Sequence, residues 1–148
     1  MDALAASFEI LTEPPPMRLT TLPYGKPREI HPNSDVESLR FSSQGLSLRL
    51  ALGLGPQDMV DGLDISFADV SAFRYLGELD LQRYWSLNGL VRGYPVLEVQ
   101  QGGWLDEEVA LQQRHYHQRE WLVVTGNGCV SVFAASAPEV VPVQWPIG

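Results

Sequence analysis

The chain has one cysteine and no long apolar run, and each scarcity removes a class of protein. A single cysteine, Cys129, leaves no intrachain disulfide and no cysteine cluster to hold structural zinc, so its expected role is that of a small buried hydrophobe. No apolar segment approaches the roughly 18 residues of a membrane span. The opening MDALAASFEI lacks a basic n-region and an apolar h-region, so the expected compartment is the cytoplasm. Gly53-Leu54-Gly55 is followed by neither a lysine nor a helix to receive phosphate, which makes it a turn and not a nucleotide cradle. No catalytic signature is present, and the expectation is a protein that is not an enzyme.

What is there is an ordinary core and an uneven charge. The 148 residues fit one domain, 1–148, with 45% hydrophobic and 19% charged residues, the balance of a globular chain. The net charge of -8 is not spread evenly: residues 1–57 carry six acids and five bases, and 109–148 two of each. Asp58 to Glu108 hold ten acids against three arginines, so this middle third carries nearly all the excess. Such a field repels phosphate backbones, which argues against nucleic acid as a partner, and it steers a basic protein towards the surface. The plainer reading is that the charge serves solubility.

Hydrophobic spacing points to strands. EPPP at 13–16 ends whatever DALAASFEI forms, and 13–34 reads as an irregular Pro/Gly segment with turns at Tyr24–Pro27 and His31–Ser34. In LRFSSQGLSLRLALG, Leu39 and Phe41 alternate with Arg40, Gly45 turns the chain, and Leu46, Leu48, Leu50 and Leu52 share a face, a hairpin. Ile65 and Phe67 continue the alternation, and a bulge or tight turn at Ala68-Asp69 is needed before Phe73 and Tyr75 resume it. ELDLQRYW, with acids first and Arg83 later, is a short helix burying Leu81, Tyr84 and Trp85. YPVLEVQ reads as a strand started by Pro95, with Val96 and Glu98 on opposite faces. LDEEVALQQR is either a helix or an exposed loop, and EWLVVTGNGCVSVFAA is a hairpin turning at Thr125–Gly128. EVVPVQWPIG adds an edge strand. The sum is a mainly β, single-domain α+β fold, an antiparallel sandwich or open barrel of six to eight strands with one or two short helices.

Few constellations carry chemistry. His115 and His117 can share a strand face, but two imidazoles need a distant third ligand, so no metal is expected. Asp58, Asp61 and Asp64 lack the spacing and closing glutamate of a calcium loop. Glu107 and Glu108 are adjacent and point apart, unlike the paired acids of a hydrolase. No cofactor is implied. Trp104 is different: it follows two glycines and precedes LDEE, and a ring beside carboxylates is what anchors and pairs a basic partner. The alternative for Trp104 is that it caps the core.

DVSAFRYLGELDLQRYW, LEVQQGGWLDEE and EWLVVTGNGCVSVF together resemble small bacterial proteins encoded beside polymorphic-toxin and type VI secretion genes, regarded as immunity proteins, over about residues 62–134. The resemblance implies a cytoplasmic, non-enzymatic antitoxin that binds a toxin domain, and it transfers no binding residue by position. Two readings follow. The first is a protein-binding inhibitor whose acidic patch is drawn from Trp104, Asp106, Glu107 and Glu108, then Asp61 and Asp64, and whose partner is a basic toxin domain. It calls for an exposed acidic face. The second is a small-molecule-binding β-barrel or sandwich, which calls for an enclosed cavity walled by Trp and Tyr. A homodimer formed by edge-strand pairing is a third.

Overall fold

A computed structural model describes residues 18–86, 89–113 and 117–148. Among them the chain forms nine strands in two antiparallel sheets and two helices, so the β-rich class read from the sequence holds and the sheets do not close into a barrel. The strand count is one above the expected range.

The first sheet is ordered β2 (Asp35–Ser42), β3 (Gly45–Leu54), β4 (Met59–Phe67) and β9 (Glu139–Pro146). Its register explains its inner face: Leu46 opposes Phe67, Leu48 opposes Ile65 and Leu50 opposes Leu63, so rows of apolar side chains meet across the pair while Ser47 and Ser66 meet on the outside. The turn into β3 needs Gly45, whose φ is 123° and where a Cβ would stand 2.1 Å from the Phe67 carbonyl oxygen.

The second sheet is ordered β1 (Thr20–Pro23), β6 (Val96–Gln101), β7 (Arg119–Val124), β8 (Gly128–Ala134) and β5 (Val70–Gly77). One face gives Val96, Trp121, Val123, Val130 and Val132 to the core shared with the first sheet. The other buries Leu97, Leu122, Val124 and Cys129 beneath Leu19 and beneath Tyr84 of α1 (Glu78–Ser86). With both faces covered, β7 and β8 need nearly continuous apolar runs, which is how WLVV and CVSVFA read, Ser131 being the one polar residue in them. The result is three layers: sheet, sheet, and a helical layer of α1 and α2 (Trp104–Gln112).

The sequence-derived elements compare closely with these, with four differences, the first being that Gly53 and Leu54 end β3, paired with Asp61 and Val60, where a turn is expected. The tight turn at Ala68-Asp69 exists, with Asp69 at a φ of 51°, but it carries the chain from the first sheet to the second, so β4 and β5 do not pair. The expected irregular stretch contains β1, a four-residue edge strand on β6. Residues 104–112 are helical, one of the two readings the sequence leaves open. Val96 and Glu98 share a face, since residues two apart on a strand must; they oppose Val123 and Trp121. The DALAASFEI segment, residues 13–17 and the pair's His115 lie outside the described residues, as do the side chains of Leu81 and Trp85.

Aromatic rings close both flanks of the sandwich. Tyr24 stands edge-on to Trp121 at 5.4 Å and its hydroxyl donates to the Pro138 carbonyl, while Phe41 of β2 meets Phe73 of β5 at 5.2 Å. Every sheet edge carries a blunting device: Pro23 in β1, Pro142 in β9, and register breaks at Glu37 in β2 and Ser71 in β5.

Candidate functional site: the helical layer and an end cleft

The α2 helix is held by its termini, since none of its residues is fully buried. Glu120 of β7 reaches under its start, accepting the backbone N–H of Leu105 at 2.7 Å and of Trp104 at 3.2 Å, and Asp106 turns back to accept the Gly102 N–H at 2.7 Å. These carboxylates satisfy first-turn donors and complement the positive helix end. A Cβ at Gly103 would sit 2.6 Å from Glu120 Oε1, so a larger residue there would force the capping carboxylate to shift. At the far end Gln113 adopts a left-handed conformation and its N–H donates to the Val109 carbonyl.

Glu120 is 1% exposed. Burial pushes its carboxyl up to about 7, against the pull of the two backbone donors and the guanidinium of Arg74. Arg74 links the two helices: it donates to the Tyr84 hydroxyl at 2.9 Å and lies 4.7 Å from the centre of the Trp104 ring. Tyr84 is itself shifted up, by burial first. No sequence pattern singled out Glu120; the available signal was a glutamate heading a strand with no polar face.

The six residues expected to bind a partner fall in three places. Trp104, Asp106, Glu107 and Glu108 come together on α2. The Trp104 ring is half-buried, packed 4.3 Å from Phe133, and its Nε1 donates to Glu108, which also accepts from Gln112. Trp104 therefore caps the core, Asp106 and Glu108 are engaged within the helix, and Glu107 is exposed. Asp64 lies on the outer face of the first sheet in a bidentate pair with Arg49, which also covers Trp145. That pairing holds the Asp64 carboxyl below its usual range. Asp61 sits at one end of the sandwich and accepts from Gln144.

Around α2 the helical layer adds what the sequence reading did not collect. Glu78 and Asp80 of α1 are exposed, and Leu79 between them is 82% exposed; Leu111 of α2 is 78% exposed. Together α1 and α2 contain five acids and one arginine, Arg83.

The end cleft, of about 720 Å3, lies between the 24–34 segment and the ends of β3 and β4. Its polar lining is Arg28, Glu29, His31, Asn33 and Asp61; Leu52, Leu54 and Val60 form its apolar side, and neither Trp nor Tyr contributes. A second hollow of about 340 Å3 shares Arg28 and Asp61.

Among the described residues no group of three metal-ligating side chains converges, and no helix is long and apolar enough to cross a membrane. No family model matches the chain, and neither a curated protein nor a solved structure is significantly similar to it.

Proposed function

We propose that this chain is a non-enzymatic protein-binding inhibitor of the immunity type, which neutralises a basic toxin domain by engaging it with the helical layer. The observation that carries this reading is the pair of leucines, Leu79 and Leu111, standing almost fully in solvent among Glu78, Asp80 and Glu107. Exposed large apolar side chains are ordinary singly, but on helices carrying five acids and one arginine they have the make-up of an interface: apolar contacts for residence, carboxylates for steering and pairing. Burying each leucine at a partner would contribute about 1.5–3 kcal/mol. The edge devices weigh against the homodimer, because each interrupts the row of backbone groups a second copy would pair with.

The test is affinity capture from the source cells with the tagged chain, in parallel with Glu78→Gln/Asp80→Asn/Glu107→Gln, three exposed acids whose side chains make no hydrogen bond or ion pair among the described residues. A basic protein recovered by the wild type and lost by the variant, whose toxicity on expression is relieved by the wild-type chain, is the expected result. Recovery unaffected by the three changes would place the interface elsewhere, and capture of nothing basic would remove the inhibitor reading.

A further inference from the structure

We propose that the end cleft is a binding site for a short peptide with free termini and an aliphatic side chain. The site is independent of the helical layer.

Its walls are built rather than incidental. Residues 24–34 form an irregular segment, and binding residues are disproportionately found on such segments when a rigid scaffold positions them. This one is bolted down at three points. Tyr24 N–H donates to the Val96 carbonyl, Arg28 N–H to Gly93 at 2.7 Å, and the 31–34 turn is fastened to the β7–β8 turn. There Ser34 Oγ donates to the His31 carbonyl at 2.6 Å and accepts the Gly126 N–H at 2.8 Å. Gly126 is obligatory, since a Cβ would stand 2.3 Å from the Pro32 carbonyl oxygen. The cleft's polar groups therefore stand on a fixed frame, which lowers the entropy lost when a ligand is held.

The chemistry of those groups defines the ligand. Arg28 is half-buried, lines both hollows, and its guanidinium has no ion pair or hydrogen bond among the described residues. A guanidinium in that position is suited to a bidentate carboxylate. His31 Nδ1 accepts the Asn33 N–H, so its Nε2 carries the proton and donates. Asp61 is positioned by Gln144 and by its packing on Gly55, where a Cβ would meet its carboxylate at 2.7 Å, and with Glu29 it offers acceptors for an ammonium. Leu52, Leu54 and Val60 supply an aliphatic wall without an aromatic plane, which selects against nucleobases and other flat rings. Arg28 and Asp61 line both hollows together and Glu29 follows Arg28 in the chain, so a cation and two carboxylates share one apolar-sided cleft, as a zwitterion requires, and a volume of 720 Å3 is of the size that accepts about two to four residues.

The experiment is a titration of the isotopically labelled full chain with leucyl-leucine, its C-terminal amide and its N-acetyl form, followed by amide chemical shifts. Free leucyl-leucine is expected to shift residues 28–34 and 52–61, with both capped forms at least about 10-fold weaker, and Arg28→Gln is expected to weaken the free dipeptide by a similar factor. Among the described residues Arg28 is hydrogen-bonded through its backbone N–H, and unchanged shifts away from the cleft establish that the variant is folded. No shift at those residues up to about 10 mM, either capped form binding as tightly as the free one, or an Arg28→Gln variant that binds normally would overturn the proposal.

Discussion

Glu120 is the residue on which burial, helix capping and acidity meet. In the unfolded chain its carboxyl titrates near 4.5 and in the folded protein at about 7, so between these values folding takes up a proton. Stability therefore falls as pH rises through that window and levels off above it, by on the order of 3 kcal/mol. Asp64 works in the opposite sense and at lower pH: its lowered carboxyl contributes stability above its ordinary range that is lost as pH falls through its folded value, and its exposure keeps that contribution small. Urea midpoints measured from pH 5 to pH 8 are expected to decline for the wild type and to be flat for Glu120→Gln, which keeps a carbonyl for the Leu105 N–H, loses the acceptor of the Trp104 N–H at every pH alike, and has no proton to lose. An equally steep decline in the variant would assign the effect to another group. Leu50, wholly buried between the sheets, gives the comparison for packing alone: Leu50→Ala is expected to cost about 2–5 kcal/mol at every pH.

Elements show where local pattern is enough and where it is not. The β2–β3 and β7–β8 hairpins were legible because Gly45 and the 125–128 turn punctuate runs whose periodicity is their own. Residues 105–114 were ambiguous for a physical reason: α2 owes its start to Glu120, fifteen residues away, and buries no continuous stripe, so its own sequence holds little of the information that makes it helical. Likewise the alternation either side of Asp69 was readable, but periodicity cannot tell a hairpin from a step between sheets. Two outcomes belong to this scale. Ser34→Ala removes one donor and one acceptor from the bolt under the end cleft and is expected to lower stability by about 1–3 kcal/mol, with amide exchange accelerating first around 31–34 and 126–127. With Pro23, Pro142 and the two strand breaks on its edges, the chain is expected to sediment as a monomer at about 100 μM, and a dimer there would contradict the edge argument.

At the scale of the molecule, the charge excess of the middle third was legible as a count, but its distribution was not. Asp64 is paired across β3, Asp61 lines an end cleft, and Glu78, Asp80 and Glu107 stand exposed on the two helices. Sequence neighbours such as Asp61 and Asp64 part because the β-strand pleat and the Gly53 register shift turn them to different surroundings. The exposed leucines were invisible to a pattern reading, which assigns apolar residues on helices to the core. If the helical layer meets a basic partner, association should slow by about 10-fold or more between low and high salt while dissociation changes little.

The most direct measurement is an amide hydrogen-exchange footprint of the chain bound to its captured basic partner. Protection concentrated on residues 78–86 and 104–112 is the result expected if the helical layer is the inhibitory surface. Protection confined to the β2–β5 flank or to the end cleft, with both helices exchanging as in the free chain, would contradict it.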